Sequence, residues 1–161
     1  WQTNGEFEEK FATRHLELVS SLPKNPVLIR ADGRRLWRIL ENLYNNAYKY
    51  AMQNSRIYVD VAQRDGKAIF TIKNVSENPL NISADELTER FVRGDVARTT
   101  EGSGLGLSIA QSLTKLQNGT FTLSIDGDLF KAEVAFPVKW TTLEEYEEQE
   151  QREEETAAEA E

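Results

Sequence analysis

The 161-residue chain contains no cysteine. Disulfides and thiolate metal sites are therefore excluded, and a reducing compartment is compatible with the chain. Its one histidine, His15, cannot build a multi-histidine metal cluster. No apolar run approaches the roughly 20 residues that cross a bilayer, and no secretory leader is visible. The segment is expected to be soluble and to make no membrane contact. There is no internal repeat, and no excess of basic residues that would mark a nucleic-acid surface.

What is present fits one domain with a real core: 39% of residues are hydrophobic, seven Phe and three Trp among them. The net charge of −8 is unevenly spread. Residues 144–161 hold ten Glu and one Arg, a net of −9, so the remainder carries a net of +1. The acidity belongs to a tail, read as a solvated helix or a disordered extension. The expected organisation is a domain over residues 1–140 followed by an acidic tail over 141–161.

Phe7 and Phe11, four apart, predict a short helix over residues 7–14. Leu16–Leu18 reads as a strand, Pro23-Lys24-Asn25-Pro26 as a turn and Val27-Leu28-Ile29 as a short apolar strand. Asp32 is placed to cap a helix in which Leu36, Ile39, Leu40, Leu43 and Ala47 form one buried face, running to about Ala51. Arg56–Arg64 alternates as a half-buried strand, Asp65-Gly66 signals a hairpin and Ala68–Ile72 is the return strand. Residues 74–104 are irregular, apart from a short helix from Ser83, and so long an irregular stretch is usually functional. Leu105, Ile109, Leu113 and Leu116 mark another helix closed by Asn118-Gly119, and a second hairpin joins Thr120–Ile125 to Leu129–Phe136.

Three groups of residues carry chemistry. The first is Asn42-Leu43-Tyr44-Asn45-Asn46-Ala47-Tyr48-Lys49-Tyr50. Asn42 and Asn46 share one side of the helix, about 80° from the centre of its apolar face, and Lys49 lies on the same flank. That flank borders the core, as a pocket wall does. Amide oxygens ligate hard cations and an ammonium meets phosphate, although an Asn pair on a helix is equally a solvated flank. The second group is Glu101-Gly102-Ser103-Gly104-Leu105-Gly106-Leu107-Ser108, bare backbone leading into a helix whose N-terminal dipole suits an anion. It is neither a P-loop nor a dinucleotide-binding fingerprint, because the lysine and the spacing are wrong; alone, it is also compatible with a plain hinge. The third group, Phe91-Val92-Arg93-Gly94-Asp95 with Arg98-Thr99-Thr100, supplies the cations and hydroxyls a lid over phosphates requires, or an ordinary polar loop.

In this order on an α/β frame, the groups resemble the catalytic ATP-binding domain of bacterial sensor histidine kinases, in the superfamily shared with gyrase B, Hsp90 and MutL. Asn42–Tyr50 resembles the N box, Glu89-Arg90-Phe91 the F box, and Gly102-Ser103-Gly104-Leu105-Gly106-Leu107-Ser108-Ile109 the G2 box. The resemblance covers roughly residues 27–137. It implies the Bergerat fold: a two-layer α/β sandwich, a mixed and mostly antiparallel sheet on about three helices, with an ATP lid. It further implies that Asn46 ligates Mg2+ with Asn42 nearby, and that Lys49 and Tyr50 line the phosphate and sugar side. Arg93 and Arg98 would reach phosphate from the lid, Phe91 would pack beneath it, and the amides around Gly102, Ser103, Gly104, Leu105 and Gly106 would hold the phosphates.

One box departs from the pattern. The family's G1 box reads Asp-x-Gly-x-Gly, and the matching stretch here is Asn74-Val75-Ser76-Glu77-Asn78. An amide oxygen at Asn74 still accepts from the adenine amino group, but without charge assistance, a loss of about 1 kcal/mol. Both glycines are gone, which leaves the path of that loop open. The phosphoacceptor pattern of the family is also absent around Thr13-Arg14-His15-Leu16, so His15 is read as a structural or surface residue. The resemblance thus implies a catalytic domain that binds Mg-ATP and donates its γ-phosphoryl group to a histidine on a separate helical-hairpin domain. A response regulator would lie downstream, and the setting would be the cytoplasmic part of a receptor kinase. Two other readings stay open. One is a degenerate docking module without catalysis. The other is an ATPase of the gyrase and Hsp90 type, in which Glu41 would have to activate water.

Overall fold

A computed structural model of the chain describes residues 2–80, 83, 86, 105–140 and 143–159. The elements follow as α1 (Gln2–Ala12), β1 (Glu17–Ser21), β2 (Leu28–Ile29), α2 (Gly33–Tyr50), β3 (Arg56–Arg64), β4 (Lys67–Val75), α3 (Gly106–Lys115), β5 (Thr120–Asp126), β6 (Leu129–Trp140) and α4 (Leu143–Glu159).

One sheet runs in the order β1-β3-β4-β6-β2, with β5 also paired to β6. Among the described residues only β1 and β3 are parallel; β3 with β4, β4 with β6, β5 with β6 and β2 with β6 are antiparallel. The β3–β4 hairpin turns at Asp65 and Gly66, both at positive φ (51° and 70°), the backbone a two-residue turn needs to follow strand twist. Gly127 (φ 57°) opens the corresponding turn between β5 and β6.

Strand alternation sends Ile57, Val59, Ile72, Phe130, Ala132, Val134 and Phe136 to one face, where helices cover them. The helices contribute Phe7 and Phe11 from α1, Ile39, Leu43, Tyr44 and Ala47 from α2, and Leu107 and Ala110 from α3. This is the two-layer, mostly antiparallel sandwich that the sequence implies.

Several elements extend beyond their sequence signals. The first helix starts at Gln2, because Thr3 sits one turn before Phe7 and Phe11 on the same buried side. β4 continues to Val75, so Asn74 is a strand residue paired with Ile57 and Phe130 instead of the first residue of a loop. β6 reaches Trp140 because its last residues gain β2 as a partner. The acidic tail is helical over Leu143–Glu159 and meets β6. Ser83 accepts a hydrogen bond from the Glu86 amide (3.1 Å), as the cap of the expected short helix would; the residues beyond lie outside the described ones.

Candidate functional site

Helix α2 is the wall on which the site is built. Asp32 caps it, its carboxylate accepting from the Arg35 amide at 3.0 Å. That bond, foremost, holds the Asp32 carboxyl below its ordinary pKa. The buried side of α2 (Ile39, Leu43, Tyr44, Ala47) fixes its rotation on the sheet, and this rotation leaves Asn42, Asn46 and Lys49 half-buried on its flank.

The side chain of Asn42 is held in place: its amide nitrogen donates to the Arg38 carbonyl one turn back, at 2.7 Å. Its amide oxygen faces the first residue of α3, and a Cβ placed on Gly106 would lie 3.1 Å from that oxygen. The asparagine helix and the last glycine of the G2-like run therefore meet, although 64 positions separate Asn42 from Gly106. The start of α3 carries no side-chain cap. The Leu105 carbonyl accepts from Ile109 (2.9 Å) and from the Ser108 hydroxyl (2.8 Å), and Leu105 itself is exposed. First-turn N–H groups without a capping side chain offer partial positive charge to an anion.

Asn46 lies one turn beyond Asn42 on the same half-buried flank. Asn45 is committed elsewhere: Lys10 of α1 donates to its amide oxygen at 2.6 Å. The Lys49 ammonium sits 5.0 Å above the Tyr50 ring. Among the described residues no group of three or more His, Cys, Asp or Glu gathers to hold a metal. A neutral amide oxygen still suits Mg2+, which binds through few protein ligands and keeps waters and substrate phosphates in its shell. Asn46 fits that role, with Asn42 one turn before it.

Asn74 is 2% exposed and points to the helix-covered side, in alternation with Ile72. Its amide nitrogen donates to the Val75 carbonyl at 3.2 Å, which leaves the amide oxygen to accept. The stretch after it resolves the question raised by the missing glycines: none of residues 74–78 has positive φ, so glycine is not required along this path. It is held as an extension of β4. Met52 donates to Val75 (2.8 Å), Ser76 to Asp128 (2.7 Å) and Glu77 to the Tyr50 carbonyl (2.9 Å), and Ala51 bridges Ser76. The end of α2 and the G1-like stretch are thereby joined.

Phe91, Arg93, Arg98, Gly102, Ser103 and Gly104 lie outside the described residues. His15 is exposed, in a turn at φ 54°. Glu41 is exposed as well, beside Asn42 instead of on the side of α2 that meets α3. Two residues at this site had no sequence signal, Lys10 and Arg14. Each acts across more than thirty positions on a helix that its local pattern does not mention.

The sequence model of the histidine kinase-, DNA gyrase B- and HSP90-like ATPases matches residues 31–153. The signal transduction histidine-protein kinase BaeS of Escherichia coli (strain K12) is 32% identical over 117 residues, 71% of this chain and 25% of BaeS. The sensor histidine kinase RppB of Synechocystis is 31% identical over 120 residues, 73% of this chain and 26% of RppB. The chain thus spans about a quarter of the length of these relatives. Among solved structures, the catalytic domain of histidine kinase ThkA superposes with a TM-score of 0.73 at 22% identity, over 85% of this chain and 88% of that one. The mycobacterial sensor histidine kinase MprB gives 0.69 at 22% identity, over 84% and 91%. These likenesses show a shared fold.

Proposed function

The chain belongs to the histidine kinase-, DNA gyrase B- and HSP90-like ATPase family, and from that premise we propose that it binds Mg-ATP between α2 and the start of α3 and donates the γ-phosphoryl group to a histidine. That histidine would sit on a separate helical-hairpin domain of a two-component sensor kinase. The observation that carries this reading is the approach of Gly106 to the Asn42 amide, which puts metal-type ligands beside capless backbone N–H groups.

In this reading Asn46 holds the cation, with Asn42 nearby on the same helix, and the cation would neutralise charge on the phosphates when bound. Lys49 and Tyr50 line the phosphate and sugar side, and the backbone at Leu105 and Gly106 closes the phosphate end with Gly102, Ser103 and Gly104. Arg93, Arg98 and Phe91 belong to the lid. Asn74 accepts from the adenine amino group by its amide oxygen. The chain then works by positioning and electrostatics, and a response regulator receives the phosphoryl group later. Residues 1–140 form the nucleotide-binding unit, with 141–161 as its acidic tail, in the cytoplasmic part of a receptor.

Calorimetric titration with Mg-ATP tests the reading directly. Asn46→Ala or Asn46→Asp is expected to weaken binding by about tenfold or more, roughly 1.4 kcal/mol, while Lys139→Ala on β6 leaves it unchanged. Equal effects at positions 46 and 139 would remove the site assignment. No heat at millimolar nucleotide would favour a docking module without catalysis. Hydrolysis of ATP by the chain alone, lost in Glu41→Ala, would favour the water-activating ATPase.

A further inference from the structure

We infer that Arg14 is a positioning residue for the nucleotide pocket: one guanidinium that fastens the end of the asparagine helix to the adenine-side strand. The inference rests on the Mg-ATP reading above. Arg14 precedes the residues matched to the family, 31–153.

The geometry is that of a four-way clamp. Nη1 donates to the carbonyls of Tyr48 and Lys49 (the latter at 3.0 Å), and Nη2 donates to the Ala51 carbonyl at 3.0 Å. These carbonyls belong to the last turn and C-cap of α2, where backbone acceptors have no intrahelical donor and carry partial negative charge. The same Nη2 meets the Glu77 carboxylate at 2.6 Å. Glu77 lies three residues after Asn74 and donates its own amide to Tyr50. A planar guanidinium is the side chain that can serve divergent acceptors at once; an ammonium concentrates its charge at a point.

The clamp has a fixed base. The Arg14 amide donates to Phe11 at 3.0 Å, and the Arg14 carbonyl accepts from Asn54 at 3.4 Å. The Arg14 side chain is 19% exposed against 47% for Glu77, so the cation is set into the fold and the carboxylate reaches in from the rim. Helix α1, which delivers Arg14, also grips the far side of α2 through Lys10 and Asn45. Of the described residues assigned to nucleotide, Arg14 meets Lys49, and there through the backbone carbonyl. It fixes the backbone that carries Lys49 and Tyr50 relative to the strand that carries Asn74, the two walls between which sugar and base would lie. Where the family uses glycines in this stretch, this chain uses an ion pair and strand hydrogen bonds.

The test measures Mg-ATP affinity by calorimetry, thermal stability without nucleotide, and the side-chain amide resonances of Asn42, Asn46 and Asn74, all on the 161-residue chain. Arg14→Ala is expected to weaken binding by about tenfold, Arg14→Lys by about fivefold and Glu77→Gln by about threefold. The Arg14→Lys/Glu77→Gln pair should be no weaker than Arg14→Lys alone, because both remove one interaction. The Asn74 resonance should shift in every variant. Arg56→Ala, which breaks the exposed 2.9 Å pair with Glu17, should leave affinity and amide resonances unchanged. If Arg14→Ala fails to fold, the two milder variants decide. Wild-type affinity and unshifted amides in Arg14→Lys and Glu77→Gln would overturn the inference, as would lowered stability with unchanged affinity. Absence of binding by the unaltered chain would instead sink the Mg-ATP reading, and the inference with it.

Discussion

Gly106 and Gly119 stand at the two ends of α3, and a methyl group added at each meets a different neighbour. At Gly106 the nearest atom would be the Asn42 amide oxygen, 3.1 Å away. The Asn42 side chain is anchored to the Arg38 carbonyl, so making room means breaking that bond or moving α3. The helix itself gains from the change, since Ala is the better helix former by up to about 1 kcal/mol. Gly106→Ala is therefore expected to keep or raise thermal stability while weakening Mg-ATP binding several-fold, about 1 kcal/mol; calorimetry and a melting curve on one sample check both halves. Unchanged affinity would mean that this contact does not shape the pocket. At Gly119 a Cβ would lie 2.6 Å and 2.9 Å from Phe136 ring carbons and 2.8 Å from the Thr114 methyl. Both neighbours are core residues, Phe136 at 3% exposure and Thr114 at 0%. Neither can yield, so Gly119→Ala should destabilise by about 2–3 kcal/mol in denaturant titration. Its folded fraction should bind nucleotide normally, because β5 and the end of α3 carry no assigned contact.

Helix α2 works on two sides, and the side away from the proposed pocket is where the sequence was hardest to read. Tyr44 is buried between Phe7 (5.0 Å between ring centres), Phe11 (6.1 Å) and Phe70 (6.1 Å), and its hydroxyl donates to the Asn4 side chain. Burial pushes that hydroxyl well above the ordinary tyrosine pKa. The fold thus favours the protonated form: the associated stability is full below the unfolded value near 10 and is lost as pH rises toward the folded value. In an alkaline absorbance titration Tyr44 should ionise only as the chain unfolds. Tyr44→Phe should remove that late component at a cost of about 1 kcal/mol. Ionisation of Tyr44 before unfolding would contradict the burial. The elements with strong local codes were legible: α2 from its apolar stripe and Asp32 cap, the β3–β4 hairpin from Asp65-Gly66, and α3 with its Asn118-Gly119 stop, where Asn118 takes φ 58°. The N-box and G2-box residues were legible as a motif, and Asn42 does meet Gly106. The length of β4, the β2–β6 pairing and the Arg14 clamp were not legible. Each depends on a partner distant in the chain, and nothing local encodes which backbone groups that partner will satisfy.

Across the whole molecule, charge is separated along the chain. The body carries a net of about +1 and the last eighteen residues a net of −9; most of that tail is α4, which meets β6. The helix holds nine glutamates against one arginine, whose guanidinium lies 3.5 Å from Glu148, so its own basic residue neutralises little of that charge and its field reaches solvent. Exposed charges act over about 30 Å in 10 mM salt but only about 8 Å at physiological ionic strength. Mg-ATP is itself an anion, and the −9 of the tail raises the free energy of bringing it to any part of this surface when screening is weak. A chain ending at Trp140 is therefore expected to bind Mg-ATP more tightly than the 161-residue chain in low salt, by about threefold, with the gap closing at about 150 mM. The association rate should carry most of that difference, since steering acts on encounter more than on the docked state. If the two chains differ equally at both salt concentrations, the tail touches the pocket or its lid directly. If they match at low salt, the pocket faces away from the field of α4.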